Sequence, residues 1–436
     1  MRQILILGAG KSSSHLIRHL VNARLNLNLN LVIVDIDITH LLTSYGAIEC
    51  VSFIELKSGK VEEYELYISQ SYLTISMLPA SMHIQVAYLC LKHSSHLITP
   101  SYISSEMMAL NKQVQSKNLI FLNELGFDPG IDHLTTMKVY DELVGEGSQL
   151  LVYKSYAGGL VAPRNDDNPW HYKFSWNPRN VILAGQGGEI KYKENGEIHT
   201  IDYQSLFSQS EMIRISNGQI FDAYANRDSL KYEALYGWKG IETILRGTLR
   251  INGFCEAWAI LVKLGLTDDF IKDRKFKGKT YSEFYASFLE ISMHKYLESY
   301  EKAIREKLIF IGFEDHESRI EIDGSAAEIL QSILVSKWKL NPEDTDWVVM
   351  VHFFEYLKDG KRYQLESFFS LEGESSTYTA MSQMVGMPIA FAVEMILANQ
   401  IKERGVCIPR SSEIYLPLLK KLEGIGIVFK ETIKEI

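Results

Sequence analysis

Ile4-Leu5-Ile6-Leu7-Gly8-Ala9-Gly10 stands near the start of the chain, and Lys11-Ser12-Ser13-Ser14 follows it directly. Four successive apolar residues read as a strand buried on both faces. The Gly-x-Gly then predicts a turn into a helix whose apolar face is Ile17, Leu20 and Val21, with Ser12 to Ser14 supplying capping hydroxyls. Strand, glycine turn and helix in that order point backbone N–H groups and a helix dipole at a pyrophosphate. The third glycine of the dinucleotide fingerprint is missing, because Ser13 stands in its place. A second apolar run, Leu31 to Val34, ends in Asp35. A carboxylate at that strand tip accepts hydrogen bonds from the adenosine ribose and repels a 2′-phosphate. No lysine or arginine lies between Asp35 and Leu42, so the pattern favours NAD over NADP. The competing reading is that Asp35 or Asp37 only caps the next helix.

The alternation continues. Leu73 to Leu78 is an apolar run ending at Pro79, and His96 to Thr99 is another, ending at Ser101-Tyr102. Leu119 to Leu122 leads into Asn123-Glu124-Leu125-Gly126-Phe127-Asp128-Pro129-Gly130-Ile131-Asp132-His133. Helical spacing at Ile84, Ala87, Tyr88 and Leu91, and at Met107, Leu110 and Val114, separates the runs. Strands alternating with helices predict a doubly wound parallel sheet. Its strand ends should gather on one edge, bringing Tyr102 and Asp128 beside a nicotinamide. A plainer role for Asp128 is an N-cap before Pro129 for the helix from Ile131.

With 436 residues, 46% of them apolar, the chain is long enough for two or three domains. A formal charge of −9 argues against nucleic acid or an anionic membrane as the main partner. Cys50, Cys90, Cys255 and Cys407 are widely spaced and form no metal-type pair, which fits free thiols in a reducing compartment. The first strand begins too early for a leader peptide, and Pro388 and Glu394 interrupt the most apolar stretch, Met381 to Leu397. The expectation is a soluble cytoplasmic enzyme.

Further along, Gln149 to Tyr156 reads as a strand ending at Gly158-Gly159, and Asn195-Gly196 and Asp359-Gly360 read as hairpin turns. From about Ala257 to Ser336 the period is helical. The fold class expected is α/β: a Rossmann-type doubly wound parallel sheet plus a mixed-sheet α+β substrate domain with a helical insertion. Residues 1–130 with 378–436 form the first domain, 131–255 with 345–377 the second, and 256–344 the helical part. The last strand is expected near Ile427 to Lys430, packing back on the first domain. Arg227, in a polar loop, and the arginines of Leu245 to Arg250 are candidate anchors for an acidic substrate, since a planar guanidinium suits carboxylates. Asp166 to Trp170 followed by Tyr172 to Trp176 is an acidic-then-aromatic block, either a lid or a packed loop. His15 and His19 share a helical face without a metal-type partner.

Taken in order, these stretches resemble the saccharopine dehydrogenase family, and within it the glutamate-forming reductases. The resemblance rests on Ser101 to Ser104, Met107-Met108, Asn123 to His133, Tyr156 to Gly159, Asp167 to Pro169 and Tyr172 to Trp176. It continues through Asn226 to Ser229, Arg246 to Arg250, Thr379 to Met381 and Arg404 to Val406, so it runs nearly the full length. It implies NAD(P)-linked interconversion of saccharopine with L-glutamate and 2-aminoadipate 6-semialdehyde in a homodimer. By motif, Gly8, Gly10, Lys11 and Ser12 would meet the cofactor phosphates, with Met77, Leu78, Pro79 and Ser101 along the cofactor. Ser101, Tyr102, Asp128, Ser175, Arg227, Thr248, Leu249 and Arg250 would line the substrate site. Asp128 is the candidate proton-transfer group, and Tyr102 its orienter.

This chain departs from the family pattern in three places. Asp35-Ile36-Asp37 stands where the fungal pattern has an arginine, Ala157 replaces a cysteine, and Phe127 replaces a leucine. Two other readings stay open: a dehydrogenase of carboxynorspermidine or carboxyspermidine, and a non-catalytic nucleotide-binding redox sensor.

Overall fold

The apolar runs of the first third become strands β1 (Arg2–Leu7), β2 (Leu29–Asp35), β3 (Val51–Glu55), β4 (Leu73–Ser76), β5 (His96–Ile98) and β6 (Ile120–Leu122). The computed structural model describes residues 1–436. Every pairing in this sheet is parallel, in the order β6-β5-β4-β1-β2-β3. A seventh strand, Gly405–Cys407, adds beside β6 from the far end of the chain. Ile4, Leu5, Ile6 and Leu7 of β1 are fully buried, which is why the run shows no polar alternation. The helix Ala380–Leu397 closes against the helix Ser14–Ala23 at Gly386, where a Cβ would lie 2.8 Å from the Leu16 nitrogen. That helix has the length and apolarity of a membrane span, but 78% of it is buried within the protein.

The second sheet is built from β7 (Gln149–Val161), β8 (Ile190–Glu194), β9 (Glu197–Ile201), β10 (Glu211–Arg214), β11 (Ile220–Ala225), β12 (Thr243–Ile251), β13 (Asp346–Lys358) and β14 (Lys361–Glu372). It is mixed: β7 runs parallel to β12 and antiparallel to β13. Asn195-Gly196 and Asp359-Gly360 make the two expected hairpins, all four residues having positive φ. β7 continues through Gly158-Gly159 instead of stopping there. Gly158 marks a close approach within the sheet, since a Cβ would lie 2.9 Å from Leu249.

Two compact units result, Met1–Glu146 with Thr377–Val428 and Gly147–Ser376 with Phe429–Ile436. Three of the expected boundaries move. The helix Ile131–Gly145 belongs to the first unit, where the Tyr415 hydroxyl bonds Asp141. The helices of 256–344 are not a separate body, because Trp258 and Trp338 share one aromatic core with Trp170, Tyr172 and Phe254. The last strand is Lys430–Glu435 and pairs with β14 in the second sheet. Phe429 anchors it there, stacked 5.8 Å from His352 and 5.2 Å from Phe369.

Candidate functional site

In the first unit the glycine turn is shaped for close backbone approach. Gly8 has φ +94°, and a Cβ there would lie 2.9 Å from the Met77 carbonyl oxygen. Gly10 has no atom within 4 Å of its missing Cβ. The Asp35 carboxylate accepts the Ala9 N–H in the middle of this turn and the Asp37 N–H at 3.1 Å. Asp37 accepts the Thr39 N–H at 2.8 Å just ahead of the helix after β2, whose N-cap is Ile38 with no side-chain cap. Asp35 thus braces the glycine turn, and neither carboxylate is the N-cap of that helix. A tight turn, an open backbone edge and a strand-tip carboxylate fit the phosphates and ribose of a dinucleotide. Lys11 and Ser12 begin the short helical turn that follows, and Met77, Leu78 and Pro79 lie just past the end of β4.

Ser101 follows β5, and its hydroxyl lies 2.7 Å from His83 Nε2. His83 Nδ1 meets the Ser76 hydroxyl at 2.9 Å, and burial pushes this imidazole down to about 4. The structure brings Tyr102 and Asp128 together: the tyrosine hydroxyl donates to the carboxylate at 2.9 Å. Gly130, not Asp128, occupies the N-cap of the helix Ile131–Gly145, and no side chain caps that end. The plain capping role for Asp128 is thereby replaced by a hydrogen bond to Tyr102. Behind this pair lies a cluster with no role in the sequence reading. Glu124, Asp132 and His133 are all fully buried, with His133 Nε2 2.8 Å from Glu124 and Nδ1 3.7 Å from Asp132.

In the second unit Arg250 is 3% exposed and sits among the rings of Tyr172, Tyr224 and Phe254, with Cζ 5.2, 5.8 and 5.3 Å from their centroids. It donates to the Tyr224 hydroxyl and the Leu249 carbonyl, both at 3.2 Å, and pairs with no carboxylate. Its cross-strand neighbour Asp222 instead accepts the N–H groups of Gly253 and Cys255. Arg250 Nε and the Ser175 hydroxyl are buried without a hydrogen-bond partner, and the Tyr172 hydroxyl lies beside the Trp176 indole nitrogen. Buried donors are normally satisfied, so this loop and strand carry binding capacity for an oxygen-rich ligand. Tyr172 and Trp176 stand in the sequence only as part of an aromatic block; their place beside Arg250 depends on tertiary packing.

Strand alternation separates Leu249 from its neighbours. Its side chain lies in the core beneath the sheet, with Tyr156 and Leu160, while Thr248 is half-buried. Arg227 is exposed, with φ +56° in the loop after β11.

Residues 4–122 match the model described as "Saccharopine dehydrogenase NADP binding domain", and residues 126–427 match "Saccharopine dehydrogenase C-terminal domain". The chain belongs to the saccharopine dehydrogenase family. Among its relatives is the Pyricularia oryzae protein named saccharopine dehydrogenase [NADP(+), L-glutamate-forming], 33% identical over 384 residues, covering 84% of this chain and 85% of that one. The Arabidopsis thaliana alpha-aminoadipic semialdehyde synthase is 33% identical over 413 residues, covering 88% of this chain but only 39% of its own length. This family member thus corresponds to most of the fungal enzyme and to a part of the longer plant one. The apo saccharopine dehydrogenase (L-Glu forming) structure from Saccharomyces cerevisiae superposes with a TM-score of 0.87 at 29% identity, covering all of both chains.

Proposed function

We propose that this family member oxidises saccharopine at its secondary amine, giving L-glutamate and 2-aminoadipate 6-semialdehyde. The observation that carries the reading is Arg250, a buried guanidinium without a carboxylate of its own. A permanently charged group is expensive to bury unpaired, and a substrate carboxylate offsets that cost. A polyamine substrate would call for carboxylates at this position instead.

The turn at Gly8, Gly10, Lys11 and Ser12 would hold the dinucleotide phosphates, with Met77, Leu78, Pro79 and Ser101 beside it. A bound nicotinamide dinucleotide supplies the hydride acceptor for the C–H next to the amine, and hydrolysis of the resulting imine releases the two products. Arg250, with Ser175, Thr248 and Arg227, fixes the substrate carboxylates. Such fixation lowers the barrier by several kcal/mol, on the order of what positioning achieves in general. Asp128, oriented by Tyr102, takes the amine proton before the hydride leaves and returns a proton as the imine is hydrolysed. Ala157 stands where the family pattern has a cysteine, so no thiol at that position takes part. Asp35 directs the protein towards NAD, in contrast to the NADP(+) named for its fungal relatives.

The test is an initial-rate assay with saccharopine and each oxidised dinucleotide, following reduced nicotinamide. Turnover of saccharopine but not carboxynorspermidine is expected. A protein that binds dinucleotide yet turns over neither compound would overturn the reading. Asp128→Asn is expected to lower kcat more than about tenfold and to alter its pH profile; a smaller loss with an unchanged profile removes the proton-transfer role.

A further inference from the structure

We infer that Glu124 and His133 form a clasp that positions Tyr102 against Asp128. This assignment rests on the catalytic reading of that pair and adds two residues to it. Glu124 follows β6 with φ +53°, in the left-handed region that side chains seldom adopt. Two bonds from this one residue bracket Tyr102, and a third reaches past Asp128. Its backbone N–H donates to the Ser101 carbonyl at 3.1 Å, immediately before Tyr102. Its Oε1 accepts the Ile103 N–H at 2.9 Å, immediately after it. Its Oε2 lies 2.8 Å from His133 Nε2, in the first turn of the helix that begins just beyond Asp128. Asp132 extends the clasp into the Asp128 loop, since its Oδ1 accepts the Gly130 N–H at 2.5 Å. The segment carrying Tyr102 and the loop carrying Asp128 therefore share one buried carboxylate as a common fixed point. Neither Glu124 nor His133 has any exposed surface, so both are assigned as positioning residues rather than substrate contacts.

A double-mutant cycle with Tyr102 separates positioning from general structural support. Glu124→Gln keeps the shape of the side chain and removes one acceptor oxygen and the charge. It is expected to lower kcat about tenfold while the dinucleotide Kd changes less than about twofold. In a Tyr102→Phe background the same substitution should cost less than about twofold more, because the group it positions is already gone. Losses that simply multiply would overturn the clasp. His133→Asn probes the opposite end and carries the same expectations if Glu124→Gln does not fold. A readout independent of turnover is the fluorine NMR signal of Tyr102 in protein labelled with 3-fluorotyrosine, assigned by its loss in Tyr102→Phe. Glu124→Gln should move that signal, and an unmoved signal would overturn the clasp. If the wild-type protein turns over no saccharopine, the functional reading falls, and the fluorine signal still decides the clasp.

Discussion

The buried polar groups of the two units are arranged in opposite ways. Around Tyr102 and Asp128 in the first unit, polar groups satisfy one another: Glu124 with His133 and the Ile103 N–H, and His83 with Ser76 and Ser101. Around Arg250 in the second unit, Ser175 and Arg250 itself leave polar atoms without partners. A closed network holds its members in one geometry, whereas open donors retain their capacity for a ligand. The same kind of substitution should therefore cost stability in the first network and leave it level around Arg250.

The largest effect on stability is expected at His133. His133→Ala leaves the Glu124 carboxylate buried beside an empty space, at a cost of about 3–5 kcal/mol in unfolding free energy. Urea denaturation monitored by tryptophan fluorescence would measure it. A loss under about 1 kcal/mol would mean that the first network is not closed after all.

Arg250→Met should behave in the opposite way. Loss of the carboxylate anchor removes about 2–4 kcal/mol of transition-state stabilisation, or roughly thirty- to a thousandfold in kcat/KM for saccharopine. Thermal stability should stay level or rise, because an unpaired buried charge has been replaced by an apolar side chain of similar length. A fall in Tm together with undiminished kcat/KM would invert the contrast between the units.

How much of this contrast the chain discloses before folding depends on the range of the interactions involved. β1 was readable because burial on both faces demands an unbroken apolar run, and Ile4 to Leu7 provide one. The hairpins were readable because Asn195-Gly196 and Asp359-Gly360 adopt positive φ at little cost. The strand Lys430–Glu435 was not, since every residue of it is exposed and its pairing to β14 leaves no apolar pattern. Arg227 and Arg250 looked alike as isolated arginines, yet one is exposed and the other lies among three aromatic rings. Leu249 looked like its neighbours until the pleat turned its side chain into the core. Glu124 and His133 stood in plain view within Asn123 to His133. Their clasp depends on Ile103, twenty-one residues before Glu124, and no local pattern reports that.

Acid should expose the closed network through His83. Its imidazole is pushed down to about 4 by burial, whereas in the unfolded chain it titrates near its ordinary 6.5. Between those values the unfolded state binds the extra proton, so stability falls as the pH drops from about 6.5 towards 4. The full loss from this residue approaches about 3 kcal/mol. Unfolding free energies at several pH values, for wild type and His83→Asn, should show a shallower acid slope in the variant. Equal slopes would place the acid sensitivity elsewhere.

The smallest expected effect concerns the cofactor, where one carboxylate has two roles. Asp35 accepts the Ala9 N–H and so shapes the glycine turn, and on the proposed reading its charge opposes a 2′-phosphate. Such repulsion at a partly solvated strand tip is worth about 1–2 kcal/mol, so NAD should be favoured over NADP by roughly tenfold in kcat/KM. Asp35→Asn separates the roles, because an amide oxygen still accepts the N–H while the charge is gone. The preference should narrow mainly through better use of NADP, with the NAD value nearly unchanged. If both cofactors instead weaken together, Asp35 serves the turn alone and the preference arises from another group. If the wild type already favours NADP, the strand-tip carboxylate does not govern the choice, and this protein uses the cofactor named for its fungal relatives.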